Sequence, residues 1–212
     1  MTDIWIKICG ITRAEDARAA IDLGADAIGI VCFPPSARHV PRPRFGEVLE
    51  RVGDEVEVYA LFVNPEPAEV TATVATGLFS GLQFHGDESA GFCESFGLPY
   101  MKALRVRGDS NLRQQVEGFD SARRVLLDTF DESDESSYGG TGKSFRWEIA
   151  ADLVAAGAGN IVVAGGLHDG NVAAAIRQAR PSGVDVSSGV EAEPGVKDPN
   201  KLRAFMREAR SA

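Results

Sequence analysis

Short apolar runs alternate along the chain with segments in which apolar positions recur every three or four residues. Residues 4–8 form an apolar run, an Ala-rich segment follows up to Gly24, and residues 26–33 are again almost continuously apolar. A run without alternating polar positions predicts a strand buried on both faces, as in a parallel sheet. Gly24 suits the left-handed position that ends a helix. The chain therefore begins as a strand, helix, strand unit.

The same unit recurs to the end of the chain. We predict eight strands, at residues 4–8, 26–33, 56–63, 81–84, 100–106, 124–127, 160–164 and 184–186. Helix starts are predicted at a capping box of Thr12 and Glu15, at Asn64-Pro65, at Asp87 and at Asp198-Pro199. Eight strand-helix units favour an α/β protein with a closed (β/α)8 barrel, or TIM barrel, and we expect residues 1–212 to form a single domain.

Two nucleotide-binding folds fit less well. A doubly wound open sheet would normally carry a glycine-rich turn after its first strand, and Cys9-Gly10-Ile11-Thr12 is not such a turn. Residues 140–144 superficially resemble a nucleotide loop. However, Ser137 stands where a P-loop needs its first glycine, and Phe145 where GxGxxG needs its last.

Composition narrows the class of protein. The 212 residues carry a formal net charge of −9, which argues against a surface that neutralises nucleic-acid phosphates. There is no basic, apolar leader and no run of ~20 apolar residues, so we expect a cytoplasmic protein without membrane contact. The three cysteines support neither a disulfide framework nor a zinc site. The oligomeric state stays open between monomer and homodimer.

In a TIM barrel the active site forms at the carboxyl ends of the strands. The seventh and eighth strands end at turns of small residues, namely Gly165, Gly166, Ser187, Ser188 and Gly189. Backbone N–H groups of such turns can bind an anion, so we predict a phosphate site and a phosphorylated small-molecule substrate. The alternative is that these residues merely tighten the turns.

Two strand ends carry groups that can move protons. Cys9 follows the first strand, and its thiol would be a usable base near neutral pH if a positive neighbour lowered its pKa. Asp128 ends the sixth strand, and desolvation would make it a general acid by raising its pKa. Asp128 could instead cap the following loop. A base and an acid on different walls of one mouth suit an isomerisation.

Other strand ends are less specific. Arg38 lies in a proline-flanked loop and is either a solvated charge or a guanidinium fork for a carboxylate. His85 is as consistent with a hydrogen-bonded turn as with a substrate contact. Cys32 and Cys93 are interpreted as packing residues. The acidic segment 131–137 predicts a mobile lid with hinges in the glycines that follow it.

Ordered motifs along essentially the whole chain resemble the phosphoribosylanthranilate isomerase family of tryptophan biosynthesis. The matching stretches include Lys7-Ile8-Cys9-Gly10-Ile11-Thr12, Gln83-Phe84-His85-Gly86-Asp87-Glu88, Leu126-Leu127-Asp128-Thr129, Ala164-Gly165-Gly166-Leu167 and Val184-Asp185-Val186-Ser187-Ser188-Gly189-Val190-Glu191. The resemblance implies an Amadori rearrangement of N-(5-phosphoribosyl)anthranilate to 1-(o-carboxyphenylamino)-1-deoxyribulose 5-phosphate, without cofactor or metal.

The resemblance also implies roles for individual residues. Asp128 would protonate the furanose ring oxygen, and Cys9 would then remove the C2′ proton. Arg38 would hold the anthranilate carboxylate, and the two glycine and serine turns would hold the phosphate. Phe84, Cys32 and the long acidic loop depart from the expected pattern.

Three other functions are alternatives to this isomerase. An aminoaldose isomerase of histidine biosynthesis is expected to have an aspartate where Cys9 stands, and an indole-glycerol-phosphate synthase needs an N-terminal extension and catalytic lysines. The third alternative, a non-catalytic phosphate-binding barrel, would bind the product without turnover.

Overall fold

Eight parallel strands close into a barrel in the computed structural model. The structure describes residues 4–106, 111–129, 147–158 and 160–212. The barrel strands are β1 (Trp5–Ile8), β2 (Ala27–Val31), β3 (Glu57–Phe62), β4 (Gly81–Phe84), β5 (Tyr100–Val106), β6 (Arg124–Thr129), β7 (Ile161–Val163) and β8 (Gly183–Val186). Neighbouring strands follow chain order, and β8 pairs with β1. The predicted TIM barrel is therefore confirmed.

Helices follow the strands on the outside of the barrel. They are α1 (Ala14–Asp22), α2 (Phe45–Val48), α3 (Pro67–Val74), α4 (Ala90–Glu94), α5 (Leu112–Glu117), α6 (Trp147–Ala155), α7 (Val172–Ala179) and α8 (Pro199–Arg210). Between β8 and α8 the chain forms a 3-10 turn, Ser188–Val190, and a small antiparallel hairpin of β9 (Glu191–Glu193) and β10 (Val196–Lys197). The hairpin was not predicted from the sequence.

Two apolar layers result from the alternation of side chains along each strand. One layer lies between the strands and the helices and includes Ile6, Ile8, Val184 and Val186. The other lies inside the barrel and joins residues in or next to five strands, namely Ala27, Tyr59, Met101, Ala103, Leu126, Val162 and Ala164. Residues 5, 7 and 9 thus point inward on β1. This face continues upward to Cys9, which packs with Val31, Leu61 and Val63.

Several predicted helix starts were wrong in detail. The residue before α1 is Arg13, and the Thr12 hydroxyl donates to the Gly195 carbonyl instead of forming a capping box. The cap of α4 is Ser89, whose hydroxyl accepts from Phe92 N–H, and not Asp87.

The start predicted at Asn64-Pro65 lies later, because Pro67 is the first residue of α3 and Asn64 adopts a φ of 46°. In contrast, the cap at Asp198 was confirmed: its carboxylate accepts from Asn200 and Lys201 N–H. The predicted lid and the segment 140–144 lie outside the described residues.

Candidate active site

A cavity of about 260 Å³ opens at the carboxyl ends of the barrel strands. Its lining includes eight of the nine residues predicted for the site, namely Cys9, Arg38, His85, Asp128, Gly165, Gly166, Ser187 and Ser188. Apolar side chains of Val31, Leu61 and Val63 form part of the wall. The predicted groups therefore meet in one space, although they come from six different segments of the chain.

Gly189, the ninth residue, lies behind the wall of the cavity. A Cβ at this position would lie 1.8 Å from the Leu167 carbonyl oxygen, which is far closer than any real contact. The β8 turn therefore packs backbone to backbone against the β7 turn. Gly189 permits the two predicted phosphate turns to meet, which is an indirect contribution to the site.

Cys9 lies directly beyond β1 and is almost fully buried, with 5% of its surface exposed. Its N–H donates to Val186 O at 2.8 Å, which ties the end of β1 to β8. Gly10 follows with a φ of 73°, and a Cβ there would lie 2.6 Å from Arg38 Cδ and 2.8 Å from Ser187 Oγ. Glycine is thus needed both for the turn and for the approach of Arg38 to the cysteine.

The pKa of the Cys9 thiol results from opposing effects of burial and of nearby charges. Burial raises the pKa of Cys9, and nearby Asp185 adds to this effect. Lys7 and Lys197 act in the opposite direction but do not outweigh the burial. The thiol therefore holds its proton more firmly than an exposed cysteine, because burial outweighs the positive neighbours that act to lower its pKa.

Arg38 forms a fork, but the carboxylate in that fork belongs to the protein. Its Nε donates to Glu191 Oε1 at 2.9 Å and its Nη2 donates to Glu191 Oε2 at 2.7 Å. Lys197 also donates to Glu191 Oε1, at 2.9 Å. Although burial opposes it, these two cations lower the pKa of Glu191. The guanidinium is consequently held rigidly at the edge of the cavity, with Nη1 unpartnered among the described residues.

Lys197 connects this ion pair to the predicted catalytic and phosphate segments. Its ammonium donates to Cys9 O at 2.6 Å and to Ser187 O at 3.2 Å. Burial lowers the pKa of Lys197, with Glu191 opposing. One lysine of the β9-β10 hairpin therefore holds together the end of β1, the β8 turn and the carboxylate that orients Arg38.

His85 and Asp128 are joined by a hydrogen bond across the mouth. His85 Nε2 lies 3.0 Å from Asp128 Oδ2, and both residues are buried. On the other side of the ring, Gln83 Nε2 lies 3.4 Å from His85 Nδ1. The structure thus places His85 beside the predicted acid, within hydrogen-bond distance of its carboxylate.

The two glycine and serine turns present backbone donors to the cavity. Gly165 and Gly166 have φ values of 80° and 64°, a conformation that glycine adopts readily. Asn171 Nδ2 donates to Gly166 O at 2.9 Å and braces this turn. Within the described part of the chain, the N–H groups of Gly165, Gly166 and Ser188 have no acceptor. Such a group of free donors is the usual form of a phosphate site.

Sequence reasoning missed four charged residues of the mouth. Lys7, below the cavity, and Asp185, which lines it, form an ion pair at 2.8 Å. Glu191 and Lys197 form the second pair. For the first pair a signal existed, because a charge interrupts the apolar runs of β1 and β8. For the second pair the signal was weaker, since Pro194-Gly195 marks a turn but no local pattern shows that the short segments beside it form a hairpin.

Together these groups can transfer protons and hold a doubly anionic molecule. A thiol and a carboxylate face one cavity, a guanidinium lies at its edge, and free N–H groups lie at the β7 and β8 turns. Among the described residues, no group of three or more His, Cys, Asp or Glu side chains is arranged to hold a metal ion. Nor does that part of the chain contain a helix of the length and apolarity needed to span a membrane.

The sequence of this chain is similar to those of known proteins of one family. The family model of N-(5'phosphoribosyl)anthranilate (PRA) isomerase matches residues 6–208. A relative named N-(5'-phosphoribosyl)anthranilate isomerase, from Nitrosomonas europaea, is 45% identical over 209 residues, which cover 98% of this chain and 96% of the relative.

Two solved structures are also similar over almost the whole chain. Phosphoribosyl anthranilate isomerase from Thermotoga maritima has a TM-score of 0.88 and 31% identity, with 99% of this chain and 100% of that chain covered. A phosphoribosyl anthranilate isomerase in complex with reduced 1-(o-carboxyphenylamino)-1-deoxyribulose 5-phosphate has a TM-score of 0.84, 31% identity and the same coverage. With fold, site and sequence in agreement, the chain belongs to the phosphoribosylanthranilate isomerase family.

Proposed function

We propose that this protein catalyses the Amadori rearrangement of N-(5′-phosphoribosyl)anthranilate in tryptophan biosynthesis, with Asp128 as general acid and Cys9 as general base. The observation that carries this proposal is the convergence of Cys9 and Asp128 with free backbone donors in one cavity of a family member. A similar isomerase binds a reduced form of the expected product, which has the same phosphate and carboxylate.

The two ends of the substrate are held by different groups. The phosphate accepts hydrogen bonds from the free N–H groups of Gly165, Gly166 and Ser188. The anthranilate carboxylate pairs with Arg38, through the edge that Glu191 leaves open. Holding both ends fixes C1′ and C2′ between acid and base, and such positioning contributes a large part of the rate of a reaction within one molecule.

The reaction then needs four proton transfers, after which both side chains are in their starting protonation states. Asp128 gives its proton to the furanose ring oxygen while the C1′–O bond breaks and the nitrogen lone pair forms a C1′=N iminium. Cys9, as thiolate, removes the C2′ proton, which gives an enaminol. The Cys9 thiol then gives its proton to C1′ and the C2′ hydroxyl gives its proton to the Asp128 carboxylate, which forms the ketone and restores both side chains. His85, hydrogen-bonded to Asp128, holds its carboxylate toward the ring oxygen.

The test is the fluorescence decay of freshly generated N-(5′-phosphoribosyl)anthranilate. We expect wild type to accelerate the decay, and Cys9→Ala and Asp128→Asn each to slow the catalysed rate by at least about 10²-fold, as for loss of a general acid or base. Cys93→Ala is the matched control, because this thiol is buried in the outer layer and should leave the rate unchanged.

Two outcomes would contradict the proposal. If wild type binds the reduced product without accelerating the decay, the protein is the non-catalytic phosphate-binding barrel. If Cys9→Ala retains the wild-type rate, the base is another residue and the assignment of roles is wrong.

A further inference from the structure

Below Cys9, inside the barrel, lies a buried ammonium for which the mechanism above has no use. Lys7 points inward two residues before Cys9 on β1, and its side chain is completely buried. Its Nζ donates to Asp185 Oδ1 at 2.8 Å, across the β1-β8 pairing in which these two residues are register partners. A buried ion pair is costly to desolvate and gives little net stability, so its location under a cavity suggests a role in the chemistry there.

Gly29 brings the ammonium close to the thiol. A Cβ on Gly29 would lie 2.9 Å from Cys9 Sγ and 3.0 Å from Lys7 Nζ, so the two groups share the space that a side chain of β2 would occupy. The sulfur and the nitrogen are therefore within the ~6 Å over which a charge changes the protonation of its neighbour. Any larger residue at position 29 would push the two groups apart or displace them.

Other charges around Cys9 are paired elsewhere or point away. Lys197 of β10 and Arg38 of the loop after β2 both bind Glu191, which balances their charge. Asp128 of β6 and His85, which follows β4, interact with each other across the mouth. Asp185 of β8 is the negative group next to Lys7. Lys7 is paired too, but its ammonium shares the space beside Gly29 with the sulfur, so it is the strongest positive influence on the thiol.

We propose that Lys7 is a positioning residue that stabilises the thiolate of Cys9 from inside the barrel, and that Asp185 sets how much of this positive charge acts on the sulfur. The inference rests on the proposed function, in which Cys9 acts as the base. It extends that function by naming the group that makes a buried thiol ionisable without placing a cation in the substrate's space.

The shifts in protonation agree with this geometry. Against the effect of burial, Lys7 is the largest influence that lowers the pKa of Cys9, while Asp185 raises it. For Lys7, burial acts to lower the pKa, but Asp185 and Cys9 outweigh this effect and raise it. The lysine therefore stays charged.

The test is the pH dependence of alkylation of Cys9 by iodoacetamide in the substrate-free protein, with mass spectrometry to locate the label. We expect Lys7→Met to move the midpoint of the Cys9 titration upward by about 1–3 pH units, since an opposite charge is lost. We expect Asp185→Asn to move it downward, since a like charge is lost. Opposite directions are decisive, because damage to packing alone would not move the two variants apart.

The double variant Lys7→Met/Asp185→Asn guards against misfolding. It removes both charges, so no uncompensated charge stays buried if Lys7→Met alone fails to fold. Its Cys9 midpoint should then lie above that of Asp185→Asn. The pH profile of kcat/KM should shift in the same direction as the alkylation midpoint in each variant.

Equal midpoints in Asp185→Asn and the double variant, or an unchanged or lower midpoint in Lys7→Met, would overturn the inference. The titration needs no substrate, so its outcome is separate from that of the proposed function. Expected shifts with a fully active Cys9→Ala would refute Cys9 as the base while leaving its coupling to Lys7 intact. Unshifted midpoints with an inactive Cys9→Ala would refute the coupling alone.

Discussion

The two ends of the barrel interior both contain charged groups that are buried or partly buried, but the charges have different surroundings. At the amino ends of the strands, Arg124 lies over the Trp5 ring at 4.0 Å and donates to Glu57 and to the Tyr59 hydroxyl at 3.3 and 3.2 Å. Trp5 and Tyr59 meet edge to face, with ring centroids 6.2 Å apart. We call these four residues the floor. The mouth, at the carboxyl ends, instead exposes its charges to a cavity.

This difference separates charged groups that stabilise the fold from groups that a ligand can contact. In the floor, each charged group meets another protein group under aromatic cover, so the network closes the barrel end. In the mouth, groups such as Cys9 and Asp128 border open space, where a ligand can meet them. The surrounding barrel therefore holds those groups in position, and they make their interactions with the substrate. Variants at the two ends should accordingly affect different measurements.

The largest effect is expected at Glu191, a mouth residue whose charge, like those of the floor, is paired within the protein. Glu191→Gln leaves the buried Lys197 and the partly buried Arg38 without their carboxylate, which should lower the free energy of unfolding by about 3 kcal/mol. Because the folded-state pKa of Glu191 is lowered, its contribution is present at neutral pH and is lost as the pH falls through that lowered pKa.

Urea unfolding of wild type and Glu191→Gln at several pH values measures this effect. The difference in stability should be full at about pH 7 and should shrink below the ordinary glutamate pKa of about 4.3. Glu193→Gln is the matched control, since this side chain is exposed on the same hairpin. A difference that is constant down to acid pH would show that the carboxylate charge of Glu191 does not stabilise the fold.

A matched pair of arginines tests the comparison of the two ends directly. Arg38→Met should lower kcat/KM by about 10–10²-fold, since a charged hydrogen bond to the substrate contributes about 1.5–3 kcal/mol. Arg124→Met, in the floor, should leave kcat/KM unchanged and lower the melting temperature instead. Steady-state kinetics and thermal unfolding of both variants measure these effects. A large kinetic defect in Arg124→Met would contradict the separation of the two ends.

The architecture was predictable from the sequence because each strand is a local apolar run and each strand end is visible. Positions such as Cys9, Asp128 and Gly165 could be assigned to the mouth, since parallel strands present their carboxyl ends on one side. The comparison of the chain with its family then named the reaction.

The partners of these residues were not predictable. The pairing of Lys7 with Asp185 depends on closure of β8 onto β1, which joins residues at opposite ends of the chain. The pairing of Arg38 with Glu191 depends on a hairpin without a regular pattern. Likewise, Thr12 followed the capping rule locally, but a tertiary hydrogen bond to Gly195 competes for its hydroxyl. Local patterns cannot report such distant competition.

The smallest effect is expected for Tyr59→Phe in the floor. The change removes one hydroxyl that accepts from Arg124 and lies 3.1 Å from Glu57 Oε2, while the ring that packs against Trp5 stays. Loss of this hydrogen bond should lower the free energy of unfolding by about 1 kcal/mol, because Arg124 and Glu57 still bind each other. Urea unfolding measures the change, and kcat/KM should equal that of wild type. A kinetic defect without a loss of stability would mean that the floor communicates with the mouth, and the functional separation of the two barrel ends would then be wrong.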